Sequence, residues 1–314
     1  MQRRAALAWL ATPALAQTAW PLGRPIRIIV PFPPGGATDI VGRIAAQKLG
    51  PALGAQVVVE NRPGAGGTLG TDLVARAPPD GYTLLLSNIA SNGVAAGVYR
   101  ALPYNPLTDF THIALLADTP SVLSVNVRSP AQDLAGFLAL ARRQGGLSLG
   151  SPGNGSSSHV LGATLARLTG APLEHIPYRG SNPALTDLVA GQLDAAITTM
   201  AETLHNPALR LLASTAPARV PMAPNLPTFA ELGFPQMTAP TWFGLSAPAG
   251  LPDAIADRLH AECMAFLAAP DVTERLNALV ALPGALSRPA YQAFVTAEVR
   301  RWTEQARAAS ATAE

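Results

Sequence analysis

Read as a pattern of apolar and polar positions, the chain alternates two kinds of segment. Short unbroken apolar runs bounded by glycine or proline have strand length; longer stretches with apolar residues every three or four positions have helix length. Residues 26–32, 56–60 and 83–86 are of the first kind, and residues 38–49 and 67–75, lying between them, are of the second. Such alternation predicts a parallel sheet with helices on both faces. Asp80-Gly81 marks a turn before the third strand, and Pro103-Tyr-Asn-Pro106 an irregular connection.

The pattern then restarts. Apolar stretches at 113–117 and 121–127 flank Asp118-Thr-Pro120. A helix is expected at 134–143, a strand at 147–150, a helix at 156–169, a strand at 173–176, a helix at 183–190, and strands at 195–198 and 210–214. A strand at 241–247 leads out of this unit, and helices at 253–268, 271–279 and 288–309 finish the chain. The second α/β unit is therefore inserted in the first. The expected division is a leader at 1–16, one discontinuous lobe at 17–120 and 240–314, and a second lobe at 121–239. Two segments must cross between the lobes, near 117–125 and 240–245, which is the connectivity of a hinged clamp.

Composition changes this picture at three points. The start reads as an address: basic Met1-Gln-Arg-Arg4, an apolar stretch at 5–11, then Ala14-Leu-Ala16 as a cleavage site. An exported protein of 314 − 16 = 298 residues is expected, long enough for two domains. Without Arg3 and Arg4, 20 basic residues balance 20 acidic ones, and Lys48 is the single lysine. That balance supplies no basic patch for nucleic acid or an anionic membrane surface. Cys263 is the only cysteine and sits in a helical pattern, so it reads as a buried thiol without a disulfide partner.

Candidate chemistry gathers in loops at strand C-terminal ends, where open α/β sheets bind ligands. The first is Pro33, Pro34, Gly35, Gly36, Ala37, Thr38 and Asp39. Its glycines permit close approach, and the helix start behind it supplies free N–H groups and the positive end of a dipole for a carboxylate or phosphate. Thr38 or Asp39 either caps that helix or meets the ligand. The second, Asn61-Arg-Pro-Gly-Ala-Gly-Gly-Thr-Leu-Gly70, has Leu69 where a dinucleotide fingerprint needs glycine, so a tight strand-to-helix turn is expected there. The third contains Ser87 and Asn88, as ligand contacts or as caps of a following helix.

The fourth lies in the inserted unit: Ser151, Pro152, Gly153, Asn154, Gly155, Ser156, Ser157, Ser158 and His159. Its serines, asparagine and glycines bring neutral donors to one helix start. His159 either donates to the ligand or packs in the first turn. Downstream, Tyr178, Arg179 and Gly180 are expected at the cleft, where Arg179 could clamp a carboxylate. The five histidines show no metal-ligand spacing, and no Gly-x-Ser-x-Gly elbow precedes a helix. No cofactor, metal or catalytic residue is expected.

With these residues in view, the chain resembles the Bug family of periplasmic solute-binding proteins, part of which serves tripartite tricarboxylate transporters. The resemblance runs through Pro25-Ile-Arg-Ile-Ile-Val-Pro-Phe-Pro-Pro-Gly-Gly36, Val59-Glu-Asn-Arg-Pro-Gly-Ala-Gly-Gly67, Pro79-Asp-Gly-Tyr-Thr-Leu84 and Gly155-Ser-Ser-Ser-His159. It continues through Ile176-Pro-Tyr-Arg-Gly180, Pro183-Ala-Leu-Thr-Asp187, Leu226-Pro-Thr-Phe-Ala-Glu231 and Trp242-Phe-Gly-Leu-Ser-Ala-Pro248. Arg179 stands where lysine is frequent, and Ala190-Gly191 replaces a common Gly-Gly.

The resemblance implies a two-lobed flytrap fold and capture, without chemistry, of a small organic acid. It also implies a periplasmic location, delivery to membrane permease subunits, and carboxylate recognition by the first-strand loop and the second-lobe loop. A monomer is expected. Two other roles share parts of this reading: sensing for a membrane signalling receptor such as a sensor kinase, and hydrolysis by the serine-rich loop.

Overall fold

A computed structural model describes residues 20–308; the expected leader at 1–16 lies outside them. Two sheets divide the chain. The first collects β1 (Ile26–Val30), β2 (Val57–Asn61), β3 (Thr83–Asn88), β4 (Phe110–Thr119), β10 (Thr241–Pro248) and β11 (Leu282–Pro283) in the order β11-β4-β10-β3-β1-β2. The second collects β5 (Ser121–Asn126), β6 (Leu147–Ser151), β7 (Leu173–Pro177), β8 (Ala195–Thr199) and β9 (Leu209–Ser214) in the order β7-β6-β8-β5-β9. Strand β3 is buried at all six positions, so its apolar run is continuous rather than alternating.

Helices α1 (Ala37–Leu53) and α7 (Asp253–Leu267) close one apolar core with the first sheet, which contains Ile28, Leu84, Leu245 and the buried thiol of Cys263. In the second lobe, α4 (Leu134–Gln144) and α5 (Ser157–Thr169) pack on β5, β6 and β8. Asp133 caps α4 by accepting from the Gly136 N–H at 2.7 Å, and Gly145 ends it with φ +75°. The long C-terminal helix α9 (Arg288–Ala308) puts Tyr291, Val295, Val299 and Trp302 into the same core as residues of α5.

Neither sheet is purely parallel, which corrects the expectation from alternation. Strand β10 runs antiparallel to β3 and β4, and β5 antiparallel to β8 and β9. The reason is connectivity. A strand that enters its sheet from the other lobe starts at the edge where the parallel strands end, so it runs against them. Strand β4 ends at Thr119, Pro120 crosses, and β5 begins at Ser121 beside the end of β8. Thr241 at the return pairs with Thr119. The crossing is tied by Thr215, whose N–H donates to the Ser121 carbonyl and whose hydroxyl accepts from the Ser121 N–H, each at 2.9 Å.

Candidate functional site

The topology places every expected loop on one edge. In the first sheet β1 is parallel to β2 and β3, and β4 runs the same way, so all four strands end at the crossing. In the second sheet β6 is parallel to β7 and β8, and Thr199 at the end of β8 pairs with Ser121 at the crossing. The C-terminal strand ends of both sheets therefore face a common cleft, with two crossing segments as its floor.

On the first side, Pro33, Pro34, Gly35 and Gly36 are exposed after β1. Gly35 has φ +87°, a conformation that L side chains rarely adopt. A Cβ added at Gly36 would meet nothing within 4 Å, so this residue faces open space. Gly36 is the N-cap of α1 and offers no side chain, so the first N–H groups of the helix keep their donors for an external anion.

Neither Thr38 nor Asp39 caps α1, contrary to one of the two roles expected for them. Asp39 is buried and turned back onto the loop. Its carboxylate accepts from Gly35 N–H at 3.0 Å, Arg43 Nε at 2.8 Å and Asn61 Nδ2 at 2.8 Å. Burial alone would raise this carboxyl, but the Arg43, Gly35 and Asn61 hydrogen bonds outweigh it and hold the group below its ordinary range. The short chain Asn61–Asp39–Gly35 thus fixes the loop from behind, and Arg43 neutralises the Asp39 charge beside the exposed glycines.

Asn88 and Ser87 part company. Asn88 Oδ1 accepts from the N–H groups of Ala90 and Ser91 at 3.0 and 3.1 Å, while its Nδ2 lies 3.4 Å from the Thr38 hydroxyl. It caps a π-turn at Ala90–Val94 that leads into α3 (Ala95–Val98) and ties that start to the first loop. Ser87 lies in the interior, 3.0 Å from the Ser246 hydroxyl and 3.2 Å from Tyr291, so the structure does not bring it to the cleft. The second loop is a packed turn: a Cβ at Gly70 would stand 2.6 Å from the Arg62 carbonyl, which explains that glycine without a nucleotide.

On the opposite side, Ser156 caps α5 by accepting from the His159 N–H at 3.1 Å. Asn154 is exposed, and Gly155 donates its N–H to His159 Nδ1 at 3.2 Å. That acceptor role leaves the neutral His159 proton on Nε2. The ring stacks on His175 at 4.0 Å between centroids, and His175 Nε2 lies 2.7 Å from the Ser151 hydroxyl. Burial lowers both imidazoles, His175 to about 4, so both stay neutral near pH 7. Ser157 and Ser158 lie in the first turn of α5 and are largely buried.

The three residues after β7 take different positions. The Tyr178 hydroxyl donates to Asp187 at 2.8 Å, and burial together with this carboxylate raises its phenol to about 12. Arg179 is exposed, and Gly180 turns the chain into α6 (Ser181–Ala190) with φ +113°.

Sequence reasoning misses a further turn on this edge, Met200–Glu202 after β8. The signal was available, because β8 is another strand ending at the cleft, but no glycine or serine cluster marks it. Met200 N–H donates to the Pro120 carbonyl at 2.9 Å, which anchors the turn against the crossing. Burial raises the Glu202 carboxyl; the hydroxyls of Ser181 and Thr199 and the Thr199 backbone oppose that rise.

Two α/β lobes joined by paired crossing segments, each with a helix start and a neutral donor loop at a strand end, define a two-lobed binding protein of the periplasmic type. The comparisons with known proteins agree. Residues 41–309 match the model of the tripartite tricarboxylate transporter family receptor, and the chain belongs to that family, which includes the Bug proteins. It is 43% identical over 263 residues to a protein encoded in the tcbD-tcbE intergenic region of Pseudomonas sp. strain P51, covering 82% of this chain and 77% of that one. It is 37% identical to BugT of Bordetella pertussis over 302 residues, 95% of this chain and 92% of BugT. The solved structure of R. palustris Rpa4515 with adipate superposes with a TM-score of 0.86 at 33% identity, covering 94% of this chain and 99% of that one. The family binds solutes outside the cytoplasm and is not enzymatic.

Proposed function

We propose that this protein captures a small organic carboxylate between its two lobes and delivers it to the membrane subunits of a tripartite transporter, after removal of a leader near Ala16. The observation that carries this reading is the pair of donor-rich helix starts, at Gly36 and Ser156, on strand ends that share one edge. Both suit an anion through backbone N–H groups, without a clustered charge. Adipate in the related Rpa4515 supports a carboxylate of this size class. The ligand contacts expected of Pro33, Pro34, Gly35, Gly36, Asn154, Ser157, Ser158, Arg179 and Gly180 belong to this proposal. Closure adds the second set of contacts, so the ligand favours the closed form by that difference.

Thermal unfolding of the mature protein against a panel of small mono-, di- and tricarboxylates tests it. A bound acid at about 100 times its dissociation constant stabilises by about 2.7 kcal/mol. Gly36→Leu leaves the unliganded transition unchanged, because its side chain enters open space, and removes the ligand-induced shift. A panel without a single stabilising acid sinks carboxylate capture; a full shift in Gly36→Leu sinks the role of the first loop.

A further inference from the structure

Two Asn-Gly pairs occur in the chain, Asn92-Gly93 and Asn154-Gly155. Such a pair is open to self-modification, because the glycine nitrogen, with no Cβ beside it, lies next in the chain to the side-chain amide it attacks. The structure separates the two. Asn92 is fully buried in the π-turn at Ala90–Val94, where its side-chain oxygen accepts from the Ser91 hydroxyl at 2.7 Å. A Cβ on Gly93 would stand 3.2 Å from the Trp302 ring, so α9 packs tightly over that pair. Asn154 is exposed instead. It lies in a turn closed by the Ser156 N–H on the Gly153 carbonyl at 3.2 Å, in which Gly155 takes φ +75°.

The acceptor on the reacting nitrogen sets this pair apart. The Gly155 N–H donates to His159 Nδ1 at 3.2 Å, which is within reach of a general base. Burial keeps that imidazole neutral near pH 7 and therefore able to take a proton. The titratable group stacked on it is His175 of β7, 4.0 Å away between centroids and also neutral. The His159 backbone is held in turn by the Ser156 hydroxyl, so the ring stays on the Gly155 side of the helix start.

We propose that Asn154 is a self-deamidation site, with His159 as the base that withdraws the Gly155 proton. The Gly155 nitrogen attacks Asn154 Cγ; the new N–Cγ bond forms, the Cγ–Nδ2 bond breaks, and the proton taken by His159 leaves with the amide nitrogen as ammonia. Water then opens the cyclic imide to aspartate or isoaspartate. One neutral amide becomes one carboxylate in the loop that opens α5. The consequence for binding rests on the capture function above: the new charge occupies the favourable end of the helix dipole and opposes an incoming carboxylate. The protein thus loses affinity as it ages, without a modifying enzyme.

Time courses of the mature protein near pH 7 test it, with the tryptic peptides Gln144–Arg167 and Ala77–Arg100 followed by tandem mass spectrometry. Conversion of amide to acid is expected at Asn154, with both aspartate and isoaspartate, and not at Asn92. An Asn154 that stays an amide, or converts no faster than Asn92, overturns the site. His159→Asn, which keeps an acceptor but no base and is checked for folding by circular dichroism, is expected to slow the conversion at least about tenfold. An equal or faster rate overturns the role of His159. The native protein supplies a second measurement that needs no variant. A neutral imidazole base gives a nearly flat rate between about pH 6.5 and 8, whereas a rise of about tenfold per pH unit marks solvent hydroxide and overturns the base. Asn154→Asp, a uniform stand-in for the product, is expected to bind the tightest acid of the panel at least about fivefold more weakly. Undiminished binding overturns the loss of affinity and leaves the modification standing; a panel in which no acid binds the native protein overturns carboxylate capture, and that consequence with it.

Discussion

At the scale of single residues, the loops were legible and the directions of their side chains were not. Residue type places Asp39, Ser87 and Tyr178 near strand ends, but a strand side chain points to one of two faces, and only packing decides which. Ser87 went inward because Ser246 and Tyr291 wait there as partners. Asp39 went into the loop because Gly35, Arg43 and Asn61 together satisfy a buried carboxylate better than the end of α1 would. Asp39→Ala strips the acceptor from all three donors, at a cost of about 1–3 kcal/mol near pH 7, limited by the hydration that Arg43 keeps. The native carboxyl titrates below its ordinary value, so its contribution is full above about pH 4 and is lost as the pH falls through the native value. Urea denaturation should show the gap between native protein and variant at pH 7 and its narrowing in acid. A gap that persists in acid would mean the loss lies in packing rather than in the charged hydrogen bonds.

At the scale of elements, the mostly buried strands β3 and β8 read clearly from their short apolar stretches, and β1 does so despite the exposed Arg27. An apolar run carries no direction, however, which is why the antiparallel course of β5 and β10 was not legible. The π-turn at Ala90–Val94 and the two-residue β11 were missed for a related reason: each packs on a partner remote in sequence, Trp302 of α9 beside Gly93 and β4 beside β11. Strand β10 shows what such a partner does. Its Trp242 indole N–H donates to Glu298 of α9 at 3.1 Å; the same oxygen accepts from Trp302 at 3.1 Å and from Arg301 at 2.8 Å. Arg301 also donates to the Thr238 carbonyl on the return crossing. Glu298 therefore couples α9, β10 and the hinge through one buried carboxylate. Glu298→Ala leaves two indoles and a guanidinium without their acceptor and is expected to cost about 2–4 kcal/mol, read as a lower urea midpoint. Loss of less than about 1 kcal/mol would show that apolar contacts alone hold α9 in place.

At the scale of the whole molecule, the response to pH follows from groups buried on both sides of the crossing. His112 on β4 is enclosed, with Nε2 3.0 Å from the Pro106 carbonyl and Nδ1 2.9 Å from the Ser246 hydroxyl. Burial lowers it to about 4 against a small opposing effect of that carbonyl, and His175 in the other lobe also falls to about 4. The unfolded chain protonates each histidine near its free value of about 6.5 while the native protein resists. Their contribution is therefore complete above about pH 6.5 and drains as the pH falls toward 4. For His112, the fall from about 6.5 to about 4 is worth on the order of 3 kcal/mol; the partly exposed His175 gives less. Asp118, on the strand that makes the first crossing, has the opposite sign. Burial raises its carboxyl to about 6, so the native form protonates before the unfolded chain does and stability is lost as the pH rises through 6. Asp118→Asn should thus gain about 1–2 kcal/mol at pH 7.5, gain almost nothing below pH 4, and lose stability more steeply with acid than the native protein. Urea midpoints at pH 7.5, 5.5 and 3.5 separate these contributions. An Asp118→Asn protein no more stable than the native one at pH 7.5 would mean that the carboxylate is compensated there, and the loss of stability between pH 6.5 and 4 would then fall to the two histidines, with Asp39 adding its share in stronger acid.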